Sequence, residues 1–403
     1  MRLLEEGIQY GYVQLTEQKV KHTIEDVTKL YPVYRIRLDQ LFYNDQNDRI
    51  ATWVSEYNST EGKDLRMLSV EEYNKVIEDF IVNSNTDAIR STEKNIELVG
   101  QRVPGVVLND GRVIDGNRRL TCLRRIARKN TSVGWFEAAI LDDATSSDAK
   151  RVKMLELAIQ LGEEDKVDYD PVEKLVGIYN DVIKTGLLTP AEYAKAADMK
   201  EADVNKLIER ANYMEDFLEF ANAKEQYHLA RELMVDGPLG ELPGILKKEK
   251  SERDKALMKR LVFANIIVQP EGDITRCVRK FKKIAGTDAE PSFRAEEQTA
   301  MASLVDRMGS SPLTKEKVRA LRAEERLVRQ FQRPLEKADE VVHRERLLAT
   351  PVKKSREAQQ CLEQILPEML ARLSPYDRRD VRQTLTDVIK LARKRIEELD
   401  ELD

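Results

Sequence analysis

Cysteine and histidine are scarce in this 403-residue chain: three of each, scattered as Cys122, Cys277, Cys361 and His22, His228, His343. None falls at the CxxC or HxxxH spacings that a zinc site needs, so no zinc is expected, and the cysteines are expected as reduced thiols of a cytoplasmic protein. No apolar run approaches the length that crosses a bilayer, so no membrane association is expected. The start MRLLEEGIQYGY lacks the uninterrupted apolar core of a signal peptide. Positive charge is not in excess either. The net charge is -5, which leaves any contact with nucleic acid to a local basic patch.

What the chain does have is charge of both signs, 34% of its residues, and enough length for two or three domains. From Tyr31 to about Asp142, short apolar segments (VYRIRL, VPGVVL, GRVID, FEAAIL) alternate with helical ones such as SVEEYNKVIEDFIV, the pattern of a small α/β unit. From Ala149 onward the periodicity is helical, with Pro171, Gly186, Pro190 and the stretch GPLGELPG as punctuation. The expected fold class is therefore α+β: a small α/β domain, then an all-helical region ending in long helices. Boundaries are expected at 1–30 for an N-terminal extension, 31–148 for the α/β domain, 149–248 for a helical domain and 249–403 for a C-terminal helical domain. Near the end, Ser374, Pro375 and Asp377 form a helix start. The stripe of Val381, Leu385, Val388, Ile389, Leu391, Ile396 and Leu399 that follows must pack on the chain's own helices or form a homodimer seam.

The stretch VIDGNRRLTCLRR, Val113 to Arg125, carries the clearest chemistry. A β-branched pair ends a buried strand, Gly116 allows close backbone approach, and Arg118 and Arg119 bring fixed charge to the start of a helix with Leu120, Leu123, Ile126 and Ala127 on one face. Free amides at that helix start point toward whatever the arginines hold, and a phosphate is the natural guest. Asn117 and Thr121 are placed to add neutral hydrogen bonds. The same residues also describe an ordinary turn into a solvated helix.

A second pattern, LTPAEYAKAADMKEADVNKLI from Leu188 to Ile208, has helix-turn-helix spacing. Thr189 caps, Pro190 opens the first helix, Ala194 allows a close crossing, a turn falls near Asp198, and Val204, Leu207 and Ile208 face inward.

Taken in order, these motifs resemble the ParB/sulfiredoxin superfamily, and ParB-like proteins in particular, over roughly Tyr31 to Lys248. Gly116, Arg118 and Arg119 match its Gly-x-Arg-Arg box. Gly100, Gln101 and Pro104 are similar to the segment before it, and Asn44 and Arg49 to its early Asn/Arg box. Ile159, Gln160, Asp170, Pro171 and Glu173 match the helix and Asn-Pro-x-Glu segment that precede the helix-turn-helix. The resemblance implies a nucleoside triphosphate, CTP or ATP with Mg²⁺, held by Gly100, Gln101, Gly116, Asn117, Arg118, Arg119 and Thr121. It also implies DNA as partner, with Asn205, Lys206 and Arg210 of the second helix as the contacts; read from its charge, the basic helix after the turn, with Arg124 and Arg128, is an alternative face. A role in partition, regulation or defence of mobile DNA is expected; a homodimer through the C-terminal helices, outside the stretch of resemblance, stays one of the two alternatives for their apolar stripe.

This sequence also departs from the pattern. Leu157 and Ala158 stand where the family has the Glu and Asn of hydrolysis, and neither ligates Mg²⁺; Glu156 is the candidate to substitute. Asn117 replaces the cysteine of sulfiredoxins, which removes sulfinic-acid reduction. Glu201 and Asp203 are poor neighbours for phosphate on a recognition helix. Two further functions stay open at this point. One is a ParB-like nuclease or phosphotransfer enzyme with Asp115 and Glu156 as its carboxylates, and the other a non-catalytic helical adaptor.

Overall fold

The computed structural model describes residues 2–24, 27–44, 47–62, 64–130, 134–141, 148–161 and 170–402. Strands β1 (Val13–Ile24), β2 (Val27–Arg37) and β3 (Phe42–Tyr43) come first, followed by α1 (Ala51–Glu61), α2 (Val70–Ser84) and α3 (Thr86–Val99). Then come β4 (Gly105–Leu108), β5 (Arg112–Asp115), α4 (Asn117–Lys129) and β6 (Trp135–Leu141). The strands form one six-stranded sheet in the order β1-β2-β6-β4-β5-β3. β4 pairs parallel with β6 and antiparallel with β5, while β2 pairs antiparallel with β1 and β6. The mixed α+β architecture is that expected.

Both faces of the sheet are covered, which is why GVVL reads as a continuous apolar run and is buried at all its positions. On one face Ile36, Val107, Val113, Phe136 and Ile140 pack with Ile77, Ile81, Ile89 and Ile96 of α2 and α3 and with Leu120, Leu123 and Ile126 of α4. On the other, Val106, Leu108, Ile114, Ala139 and Leu141 meet Leu155 and Ile159 of α5 (Ala149–Leu161). Local signals set the ends of these elements. Ser69 and Glu72 close a capping box on α2, and Asn85 accepts from the Ala88 amide at the start of α3.

The segment 1–30, expected as an extension, differs: it supplies β1 and the start of β2. A register break between Leu15 and Lys19 disrupts the two-residue alternation and hides the strand from a periodicity reading.

The helical region continues with α6 (Pro171–Ile178), α7 (Pro190–Ala196), α8 (Glu201–Phe220), α9 (Tyr227–Glu232), α10 (Asp236–Leu239), α11 (Leu242–Leu246), α12 (Glu252–Val268), α13 (Ile274–Ile284), α14 (Glu290–Met308) and α15 (Lys315–Ala323). Asp170 caps α6 with Pro171 as first residue; Thr189 and Glu192 form a capping box on α7 with Pro190 as first residue. Asp198 takes the left-handed turn between α7 and α8 at φ 52°, with Ala194 and Val204 buried. Last come α16 (Glu325–Glu363), α17 (Pro367–Ala371) and α18 (Pro375–Asp400). The chain separates into two compact units, Met1–Leu335 and Glu336–Asp403, so 249–335 belong with the first unit and not with the end of the chain. In the second unit the capped start at Ser374 is present, but α18 buries none of its residues, and Ile389, Leu391, Ile396 and Leu399 stay exposed.

One buried acid interrupts the helical core. Glu297 of α14 is wholly buried, accepts a 2.7 Å hydrogen bond from Asn265 Nδ2, and burial pushes its carboxyl from 4.5 up to about 8. The folded state therefore keeps a proton that the unfolded chain gives up. The stability this contributes is full below the unfolded value and is lost as pH rises through the folded one. Glu297→Gln is expected to raise the melting temperature relative to the parent at about pH 9 and to change it little at about pH 4; calorimetry at the two pH values measures the difference.

Candidate functional site

The turn between β5 and α4 is built by steric necessity. Gly116 sits at φ 100°, and a Cβ there would meet Phe136 Cζ at 2.8 Å. Only glycine fits both the torsion and the space. Leu120 N donates to Gly116 O at 2.8 Å, the first bond of α4, and no side chain caps the helix start. The first-turn amides thus have no side-chain cap among the described residues, where Asn117 Oδ1 is also buried without a hydrogen-bond partner. Arg118, half-buried, stands beside these amides in the first turn of α4.

Arg119 does something other than expected. Its Nη2 donates to Asp115 Oδ2 at 2.7 Å, and its Nη1 donates to the carbonyls of Pro104, at 2.9 Å, and Val103. The guanidinium is consumed in bracing the turn against the start of β4. Gln101 braces the other side: Nε2 donates to Glu137 O at 2.7 Å and Oε1 accepts from Glu137 N at 2.9 Å, joining the segment after α3 to β6. Gly100 ends α3 at φ 74°, with open space where a Cβ would be. Thr121 is fully buried and its Oγ1 is 2.9 Å from the Tyr43 hydroxyl, so it faces the core and not a ligand. Of the expected phosphate set, then, Gly116, Asn117 and Arg118 stand at the turn; Gln101 and Arg119 hold it in place, and Thr121 is withdrawn from it.

The basic face of α4 is also spent internally. Arg124 Nη2 donates to the carbonyls of Leu38 (3.1 Å) and Leu41 (2.7 Å) and its guanidinium lies 4.8 Å from the Tyr43 ring centre. Arg128 makes a bidentate pair with the buried Glu78 at 2.6 and 2.8 Å. Arg125 and Lys129 share Glu93 at 3.3 and 3.0 Å; against the opposing effect of burial, these partners hold the Glu93 carboxyl below its usual range. On α8, Lys206 pairs with Asp203 at 2.8 Å and Arg210 with Asp236 at 2.8 Å, leaving Asn205 exposed. Arg124, Arg128 and Arg210, expected to contact DNA, are engaged by groups 26 to 86 residues away in sequence, which local pattern does not reveal.

A separate cleft of about 740 Å³ opens on the α5 side of the sheet, lined among others by Asn44, Asp48, Arg112, Lys153, Glu156 and Asp181. The buried Lys153 ammonium lies 2.9 Å from Asp48, 3.3 Å from Asp181 and 3.8 Å from Glu156. Asp48 comes from the turn Asp48–Ile50 and Asp181 from the π-helical turn Tyr179–Lys184 that continues α6. Gly177 lets Asp48 approach, since a Cβ there would be 2.5 Å from its Oδ2. Burial pushes the Asp181 carboxyl up to about 7 against the pull of Lys153, whose own proton is held firmly by the carboxylates around it despite burial. Sequence reasoning found Glu156 but missed Lys153. The signal was a lysine three residues before that glutamate, on a helix whose neighbours Leu155, Leu157 and Ile159 are all buried.

Asp115 and Glu156, expected to act together, have separate partners: Asp115 holds Arg119, Glu156 faces Lys153, and none of the residues 115–119 lines the cleft. The donor set does not fit Mg²⁺, because the carboxylates converge on an ammonium already in place; among the described residues no group of three or more His, Cys, Asp or Glu is arranged for a metal. The side chains of Arg49, Gln160 and Leu161 lie outside the described residues. No protein-family model matches the chain, and no curated protein matches it.

Lys153→Met would leave three buried carboxylates facing one another. It is expected to cost ~3–5 kcal/mol of stability at neutral pH, the range for orphaning a buried ion pair. The cost should shrink at about pH 5, where Asp181, with its raised carboxyl, is protonated in the folded state; urea unfolding at both pH values tests this.

Proposed function

We propose that this chain is a ParB-like, DNA-associated protein that holds the phosphate of a nucleotide, CTP or ATP, or of a phosphodiester at the turn between β5 and α4, in partition, regulation or defence of mobile DNA. The observation that carries this reading is the uncapped start of a 13-residue helix, opened by a left-handed glycine. Such a start is a ready anion site, because its amides and its macrodipole both favour negative charge. In this reading the first-turn amides and Arg118 take the phosphate oxygens, the orphaned Asn117 Oδ1 accepts from a ligand amino group, and Arg119 positions the turn without touching the ligand. DNA association through α8 has less in its favour, given the internal partners of Lys206 and Arg210. A second copy of the chain is the occupant we assign to the exposed stripe of α18.

Titration with each nucleoside triphosphate in the presence of Mg²⁺, with and without duplex DNA, tests the reading. Arg118→Ala is expected to weaken nucleotide binding about 10- to 100-fold, the effect of losing a charge-assisted hydrogen bond. Arg119→Ala is expected to lower the melting temperature as well, because three internal contacts go with it. Equal binding by Arg118→Ala and the parent, or none by the parent, contradicts the assignment. For the stripe, sedimentation is expected to give a dimer that Leu391→Asp dissociates.

A further inference from the structure

The end of the sheet that carries the α4 turn also carries a run of aromatic and arginine side chains, of which Tyr10 and Arg35 are exposed and Tyr12, Arg37 and Trp135 half-buried. β4 and β6 start at this end, β2 and β5 finish at it, and β1 begins at it. Arg35 and Arg37 of β2 lie opposite Glu137 and Trp135 of β6, on the sheet face away from Ile36 and Phe136, which belong to the core. Two cation–π pairs form there: the Arg35 guanidinium is 5.5 Å from the Trp135 ring centre, and that of Arg37 is 4.9 Å from Tyr12. Tyr10 extends the row, 6.2 Å from Tyr12 between ring centres and 61% exposed. Gln101 ties this strip to the phosphate turn, since it bonds both backbone groups of Glu137.

The charge on the strip is available in a way that the charge on α4 is not. Arg35 is exposed and makes no ion pair among the described residues, not even with Glu137 across the strands. Arg37 shares its charge with Asp39 at the surface, where such a pair is weak and easily exchanged. Aromatic planes interleaved with guanidinium groups at this end of the sheet suit bases that have a free π-face, with phosphates alongside. Bases inside a duplex are already stacked and present only their edges, so they do not fit this chemistry.

We propose that the strip of Tyr10, Tyr12, Arg35, Arg37 and Trp135 binds a nucleic-acid strand with unpaired bases. Bases stack on Trp135 and the tyrosines, Arg35 and Arg37 meet the backbone, and one phosphate sits at the start of α4. The proposal rests on the phosphate reading of that turn and extends it to a substrate class.

Fluorescence anisotropy with labelled strands of about 12 nucleotides, oligo(dT) and oligo(rU), and with a duplex of the same length, tests the proposal. At least one single strand is expected to bind about tenfold or more tighter than the duplex. Arg35→Ala and Tyr12→Ala are each expected to weaken strand binding about tenfold while leaving nucleoside triphosphate binding unchanged. Strand binding should also quench tryptophan emission. Trp135→Phe is expected to remove that quenching and keep most of the affinity, since the other tryptophan, Trp53, is stacked under Arg231 at 4.2 Å. Equal or tighter duplex binding, or full strand affinity in both Arg35→Ala and Tyr12→Ala, overturns the strip; if Arg118→Ala still loses nucleotide in that case, the phosphate reading survives. No binding of strand or nucleotide by the parent overturns both.

Discussion

The candidate site depends on one ionic brace. Arg119 joins the Asp115 carboxylate at the end of β5 to the carbonyls of Val103 and Pro104 at the entry to β4, so one guanidinium fixes two strands and the first turn of α4 together. With the turn held there, Gly116 has no freedom to rotate out of its left-handed conformation, and the uncapped amides of α4 keep one direction. An arginine suits this work better than a lysine because its planar fork serves three acceptors at once. The brace is half-buried, which shields it from screening that would weaken an exposed pair.

The same logic explains why the basic face of α4 offers little unpaired charge. Arg124, Arg125, Arg128 and Lys129 read as a basic face, yet each finds a carboxylate or a carbonyl on a neighbouring element. Lys153 repeats the pattern in the interior, with carboxylates from three elements around one ammonium. Charges used this way specify how elements dock, and they cannot at the same time offer an open field to a polyanion. What is left, namely the uncapped start of α4 and the exposed Tyr10 and Arg35 at the same end of the sheet, gains functional weight by contrast.

Legibility in the sequence followed the range of the interaction. Short-range features could be read directly: the cap and proline that open α7, the turn at Asp198, the strand that carries Val113 and Ile114, and the glycine before α4. β1 was hidden because a register break spoils its alternation, and the role of Arg119 was hidden because its partners include backbone carbonyls, which no side-chain pattern announces. Thr121 looked available from its place just after the paired arginines, but helical geometry turns it inward to Tyr43. The cleft around Lys153 draws on residues 48, 153, 156 and 181, and only the glutamate among them stood in a recognisable motif.

The most direct test of the phosphate site is an amide chemical-shift map recorded while inorganic pyrophosphate or a nucleoside triphosphate is added. The account predicts that the largest shifts fall on the backbone N–H groups of Asn117, Arg118 and Arg119, with the first turn of α4 moving as a unit. Shifts confined to other elements, or none at a saturating ligand concentration, would contradict it.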